Sequence, residues 1–578
     1  MATVSRTPRS VSSSPASYYT ANDSKTECST TASSPLQSLS CPYREARQLH
    51  RELKDHCQIF LEEQLYSSAI HLLNSTLGSG ISRRLPPTKP ALVPPPSHLA
   101  LLNTLIVHPI HTTRAETPEL QAVSALALDY LRNLLAVVGP VNAGFRAAFQ
   151  FHAPSRWNRR SGYNSAGSDS DMSDGDDSSH DRDRDRVKGR MANQSSLWTR
   201  GQDLWTTVGW AFNTSGLYPR RWRYWKLWLE FMLDVLEMDW AERERQDNAA
   251  CEAKGEEAGD DEDLFAARTQ SMIAMYVWQD TDGQMVLKRI MKALLADGSS
   301  LSSSSFPEVF EKEPRGPKKA CSFSNKRKRD HVLLDLENDK FGDYFVDEDS
   351  ISSGISEPPT PQKPRTGRAR QASGPSQPGL VESVHLRMRL FKLLSAATDA
   401  LGKQGDLIRL YEEFTHHVKS LPLELFALFV TQRENPFPPE VHVTIIKQLF
   451  DCLLPNHYQD PRKVDPVADA QGCLTTSMLE HCYVSLPANT VALEDNAKLG
   501  LVVESAIQLL WLGDMLEYSD GFAAACEEGI RAREAKAKKR RTGKGRGTDS
   551  RDVVAEDVLA GSGERIRALI SALRIAVV

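Results

Sequence analysis

The sequence contains no apolar run that approaches the roughly 20 residues of a membrane-spanning helix. Its first residues are rich in serine, threonine and arginine and lack the apolar segment of a secretory signal. The nine cysteines are scattered without a C-x-x-C pair, a pattern typical of reduced thiols inside a cell. These absences predict an intracellular chain without a membrane partner.

The motifs of common catalytic and nucleotide sites are also lacking. There is no phosphate-binding glycine loop, no H-E-x-x-H and no G-x-S-x-G. His108 and His111 have a metal-like spacing, but a proline lies between them and no cysteine or acid completes a site. His416 and His417 are adjacent on a helix and therefore point in different directions. We expect no cofactor, no metal and no enzymatic activity. An enzyme with a divergent helical site is the alternative.

Tryptophan is what the sequence concentrates. Seven of the ten tryptophans lie within residues 198–240. From residue 222 the large apolar residues recur every three or four positions, which predicts one buried face of a helix. The predicted structural core consists of Trp222, Trp225, Trp228, Leu229, Met232 and Leu236. An aromatic cage for a methylated lysine and a groove for a partner are the alternatives.

Helical periodicity with short breaks, and little strand-like alternation, predicts an all-α fold. Residues 60–77 resemble the helices of tetratricopeptide-type repeats over one hairpin, without a repeating period. We therefore expect an irregular helical-repeat-like body, similar to TPR or HEAT arrays, interrupted by long disordered insertions.

Shifts in composition divide the chain into helical and disordered segments. The predicted segments are a disordered N-terminal tail (1–42), an N-terminal helical region (43–153), a disordered acidic Ser/Asp-rich insertion (154–194), a Trp-rich helical core (195–297), a disordered linker with a basic cluster (298–380), a C-terminal helical region (381–533), a basic flexible segment (534–556) and a C-terminal helix (557–578).

Two clusters of lysine and arginine lie in segments predicted to be exposed, a pattern typical of nuclear import signals. The first consists of Lys318, Lys319, Lys326, Arg327, Lys328 and Arg329, and the second of Lys536, Lys538, Lys539, Arg540 and Arg541. Because the net charge is only −5, any affinity for nucleic acid would have to come from such a local run. Residues 536–546 are the better candidate for that contact.

Short kinase-like patterns occur in the predicted insertions. Ser168, Ser170 and Ser173 lie among acidic residues, Thr360 precedes a proline, and Ser373 follows Arg370 by three positions. Phosphorylation there would add charge without disturbing a core.

Together these features predict a non-catalytic nuclear scaffold or accessory subunit of a multiprotein complex. Chromatin regulation and genome maintenance are the expected settings. Its partners would be other proteins of the complex and an import receptor. A protein that binds DNA or RNA directly through residues 536–546, and a cytoplasmic helical adaptor, are the alternatives.

Overall fold

Helices form most of the chain that the computed structural model describes, at 72% against 2% for strands. The described residues are 43–79, 89–151, 186–254, 265–278, 283–316, 378–403, 405–431, 435–538 and 550–577. The predicted helical class is confirmed, apart from one small pair of strands.

The N-terminal part folds into helices beside a two-stranded sheet. Its elements are β1 (Ala46–Gln48), α1 (Arg51–Glu62), α2 (Tyr66–Gly78), β2 (Ala91–Val93), α3 (Pro96–Val107), a 3₁₀ turn (Pro109–His111), α4 (Pro118–Val138) and α5 (Phe145–Ala148). The strands pair in parallel, with Ala46 opposite Ala91. Thr117 caps α4 by accepting a hydrogen bond from the Leu120 amide, and Pro118 occupies the first turn, as is typical of a helix start.

Helix α4 passes a test of length and composition for membrane spans, with a mean hydropathy of 1.2 over its most apolar window. Half of that window is buried inside the protein, against α2 and α3. Neighbouring helices therefore cover the apolar face of α4, as they do for other core helices.

The middle part contains the tryptophans. Its elements are α6 (Leu197–Arg200), α7 (Leu204–Leu217), α8 (Pro219–Lys254), α9 (Ala266–Thr269), α10 (Met272–Val277), α11 (Gly283–Leu294) and α12 (Ser300–Ser305). Only Tyr218 separates α7 from α8, because Pro219 cannot continue the preceding helix but suits the first turn of a new one. Helices α7 and α8 pack against each other, and α11 packs on α7.

Within the described residues of the C-terminal part, all regular elements are helices. Its elements are α13 (Pro378–Leu401), α14 (Asp406–Ser420), α15 (Leu423–Val430), α16 (Pro439–Leu453), α17 (Pro461–Val464), α18 (Pro466–Ala470), α19 (Thr476–Met478), a π-helical turn (Leu479–Tyr483), α20 (Leu493–Leu512), α21 (Asp520–Lys538) and α22 (Ser550–Val577). Helix α20 lies at the centre and contacts α15, α16, α21 and α22.

One continuous cluster of buried apolar side chains runs through all three parts, from Leu49 to Ile566. The described residues from Tyr43 onward accordingly group into one compact unit. Helix α13 joins the parts by packing on α7 and α8. Its Arg389 guanidinium bridges Asp234 at 2.8 Å and Glu237 at 2.6 Å on α8.

Several predicted boundaries differ from the structure. The end of the predicted acidic insertion belongs to the folded body, because Val187 is buried and the Asn193 amide donates to the Val187 carbonyl at 3.0 Å. The basic segment predicted from residue 534 begins inside helix α21, which continues to Lys538. Helix α22 begins at Ser550, before the predicted start at 557. These stretches are rich in charged residues, so their composition predicts exposed, irregular chain where the structure has buried or helical positions.

The start of the predicted linker is folded as well. Residues 298–316 form α12 and a following segment that packs on the body. Phe306, Val309, Phe310 and Glu313 are buried there. Because this stretch is rich in serine, its composition predicts a linker, although four of its residues are buried.

Candidate functional site

The tryptophan-rich helix α8 lies in the interior. The residues predicted as core are all buried, with Trp225 and Trp228 fully enclosed. The Trp228 indole N–H donates to Asn103 Oδ1 at 2.8 Å, and the Trp222 indole N–H donates to Glu382 Oε2 at 3.2 Å. Rings that are buried and hydrogen-bonded in this way present no open face for the methyl-lysine cage that the sequence left open.

A buried carboxylate, that of Glu313, organises this interior. It accepts hydrogen bonds from the Trp225 indole at 2.5 Å, the Trp210 indole at 2.9 Å and the Arg221 Nε at 2.8 Å. Arg221 and Glu313 are 1% and 0% exposed as side chains. A buried ion pair is stable only when its remaining donors and acceptors are satisfied, and here they are satisfied by indoles and by Thr112.

Buried arginines hold the ends of helices. The Arg387 guanidinium donates to the carbonyls of Leu294 at 2.6 Å and Ala296 at 2.7 Å, at the end of α11. It also lies over the Phe212 ring at 4.1 Å. Burial lowers the pKa of Arg387 to about 9. The last carbonyls of a helix lack partners within the helix and carry partial negative charge, so a cation stabilises them.

The same arrangement recurs through the described body. The further pairs are Arg44 with the Leu77 carbonyl, Arg221 with Val107, Arg533 with Val484, Lys498 with Lys419, and Lys419 with Cys452. Each carbonyl lies at or just beyond the last turn of a helix or helical turn. These cations are therefore committed to joining helices.

Neutral histidines belong to the interior. His108 packs edge-on against Phe310 at 4.8 Å, and His111 packs against Tyr66 at 5.3 Å. Burial, with the nearby cations as a smaller cause, lowers the pKa of His108 to about 3, and burial lowers that of His442 to about 4. His416 and His417 lie on α14 with perpendicular rings. Among the described residues, no group of three histidine, cysteine or acidic side chains could hold a metal ion.

The lowered pKa values of buried His108 and His111 and of half-buried His442 predict a loss of stability in mild acid. An unfolded histidine takes up a proton near pH 6.5, whereas folded His442 resists it down to about pH 4. Stability is therefore fully present above pH 6.5 and falls below it, by up to about 1.4 kcal/mol per pH unit for each such histidine. Urea unfolding between pH 7.5 and 5 measures this slope.

His442→Gln should reduce the slope. His385→Gln, at an exposed position, is the matched control for the loss of an imidazole. Equal slopes for both variants would show that burial of His442 does not govern its protonation.

An open groove of about 470 Å³ lies between α15, α20 and α22. Its lining is mostly apolar, with polar and charged groups beside it: Ala427, Thr431, Leu501, Val554, Asp557, Val558 and Arg565. The Arg565 guanidinium binds the carboxylate of buried Glu504 through two bonds, of 2.6 and 2.9 Å. Val554 and Asp557 are exposed. The groove is thus lined by four apolar residues, one threonine and two residues of opposite charge.

The structure separates the predicted basic residues. The Lys536 amine donates to the carbonyl of Ala488 on the body, whereas Lys538 is exposed at the end of α21. The other predicted basic residues, Lys318, Lys319, Lys326, Arg327, Lys328, Arg329, Lys539, Arg540 and Arg541, lie outside the described residues. The predicted phosphorylation sites Ser168, Ser170, Ser173, Thr360 and Ser373 also lie outside them.

Sequence reasoning missed the groove, the Glu313 cluster and the capping arginines. The groove combines residues from three distant helices, so no local pattern marks it. Glu313 gave one usable signal, its position three residues after Phe310 in a stretch otherwise rich in serine. Comparisons with protein-family models, with curated proteins and with solved structures found no match to this chain.

Proposed function

We propose that this chain is a non-catalytic nuclear scaffold or accessory subunit that binds other proteins through surfaces between its helices. Chromatin regulation or genome maintenance is the proposed setting. The groove between α15, α20 and α22 is the observation that supports binding most directly. A groove walled by helices and lined by both apolar and charged residues suits an amphipathic helix of a partner.

The proposed architecture is an irregular helical-repeat-like body. Helices that contact several neighbours support this proposal, as does the single core that runs through them. In such a body the interior provides stability and the grooves between helices provide binding surfaces.

Replacing Val554 with aspartate tests the groove. A buried charge opposite an apolar partner is unfavourable, so capture of groove-dependent partners should fall several-fold. Val553 provides a matched control, because it is the adjacent residue, is exposed to a similar degree and does not line the groove. The measurement is quantitative mass spectrometry of proteins captured on the tagged full chain from nuclear extract.

Val554→Asp should lose a defined set of proteins that Val553→Asp retains. If both variants capture the same proteins, the groove does not bind these partners. Since both valines are exposed, neither change should alter the thermal unfolding of the chain, and melting curves check this.

Import tests the nuclear part of the proposal. Replacing Lys326, Arg327, Lys328 and Arg329 with alanine should lower the nuclear-to-cytoplasmic ratio of a fluorescent fusion several-fold. Lys536→Ala is the control and should change import little, because that amine already binds the Ala488 carbonyl. A wild-type fusion that stays in the cytoplasm of eukaryotic cells would contradict the proposal and favour a cytoplasmic adaptor.

A further inference from the structure

Residues 306–313, which we name the strap, contact the body in the manner of a bound peptide. Four side chains anchor the strap: Phe306, Val309, Phe310 and Glu313 are all buried. In the described part of the chain, the strap backbone exchanges no hydrogen bond with the backbone of another element beyond the end of α12. The strap is therefore held by side chains in pockets.

The pocket that receives Glu313 has the features of a carboxylate receptor. Arg221 supplies two donors, and the indoles of Trp210 and Trp225 supply one each. Phe310 packs beside it, edge-on to His108 at 4.8 Å. An arginine fork and two indole N–H groups enclosed by aromatic rings select a carboxylate that arrives with an aromatic neighbour.

Phe306 makes a second buried contact, against Gly209 of helix α7. A Cβ atom at Gly209 would come within 2.5 Å of the Phe306 ring, so the glycine creates the room for that ring. Phe306 and Phe310 are four residues apart, Phe310 and Glu313 are three apart, and all three side chains are buried.

Charge complementarity extends beyond the pocket. The strap carries Glu308 and Glu311 as exposed acids besides Glu313. The Arg114 guanidinium donates to the Glu311 carbonyl at 3.5 Å. Arg114 and Arg200 also lower the pKa of Glu311, after the larger effect of Lys312. An acidic segment thus lies on a surface with several arginines.

We propose that the pocket around Arg221 is a peptide-binding site which the strap occupies in cis. A partner protein would enter it with an acidic segment that carries an aromatic residue three positions before a glutamate. This inference rests on the proposed scaffold function and gives that function a second, chemically defined surface. Because the strap is part of the same chain, its effective concentration is about 1 mM. If the strap sequence binds the vacated pocket with a Kd of about 10 μM, a competing peptide binds the intact protein about 100-fold more weakly than the vacated pocket.

The test uses the full chain with a vacated pocket, made by replacing Phe306, Phe310 and Glu313 with alanine. The probe is a fluorescein-labelled peptide of residues 304–316, and binding is measured by fluorescence anisotropy. We expect saturable binding to the vacated chain and about 100-fold weaker binding to the wild type. A probe with Glu313→Gln should bind about tenfold more weakly, since it loses the charge that Arg221 recognises. Absence of saturable binding to a folded vacated chain overturns the proposal.

A second measurement serves if the vacated chain does not fold. Hydrogen exchange on the wild-type chain should show the hydrogen-bonded strap amides, those of Phe310 and Glu313, exchanging about 100-fold faster than the amides of helix α8, because the strap opens without global unfolding. Exchange of both segments at the same rate overturns the proposal. Either negative result leaves the groove at Val554 untouched, since that groove lies on α15, α20 and α22.

Discussion

Replacing Glu313 with alanine is expected to lower the free energy of unfolding by about 3–5 kcal/mol, because it leaves Arg221 charged and buried without its counter-ion. The indoles of Trp210 and Trp225 would lose their acceptor at the same time. Few surface changes approach this magnitude. Urea unfolding followed by tryptophan fluorescence measures it, since the affected indoles report directly on the core.

Glu311 provides the control for this change. It lies two residues away on the same strap, is exposed, and pairs only with its neighbour Lys312 among the described contacts of its side chain. Glu311→Ala should leave the unfolding midpoint close to that of the wild type. If Glu313→Ala unfolds at the same urea concentration as Glu311→Ala, the buried ion pair does not organise the core.

Glycine-to-alanine changes at two helical positions are expected to act in opposite directions. In α21, a Cβ atom on Gly529 would overlap the backbone carbonyl of Val484, which cannot move without displacing the π-helical turn. Gly529→Ala should therefore cost about 3 kcal/mol, as overpacking of a core contact does. At the end of α2, by contrast, a Cβ atom on Gly78 would meet none of the described atoms within 4 Å.

Gly78→Ala should accordingly stabilise the protein by about 0.5–1 kcal/mol, through the better helix propensity of alanine and the smaller entropy of the unfolded chain. Thermal or urea unfolding of both variants measures whether each change lowers or raises the stability of the protein. A stabilising effect at Gly529 would mean that α21 does not cross the π-helical turn at the distance seen here.

The sequence predicts the helical class and the tryptophan core because both depend on local spacing. Apolar residues at three- and four-residue steps specify a face of α8 wherever the rest of the chain lies. The strap shows the limit of that reasoning. Its buried residues stand among serines and acids, so composition favours a linker until Arg221 is known to lie opposite Glu313.

The partners of the buried cations could not be predicted from the sequence either. Arg387 is separated by about ninety residues from the carbonyls it binds. An arginine in a sequence reads as a surface charge, since arginines are rarely fully buried unless paired. Only the folded arrangement identifies its partners as the last carbonyls of α11. The same holds for Lys536, which the sequence assigns to an exposed basic run and the structure joins to Ala488.

We propose that this protein acts by holding other proteins in a groove between its C-terminal helices. Incorporation of a photo-crosslinking amino acid at Val554 of the full chain, in eukaryotic cells, tests it most directly, with Val553 as the matched position. We expect discrete covalent adducts with nuclear proteins from position 554 and few from position 553. Equal yields from both positions, or no adduct from either, would contradict it.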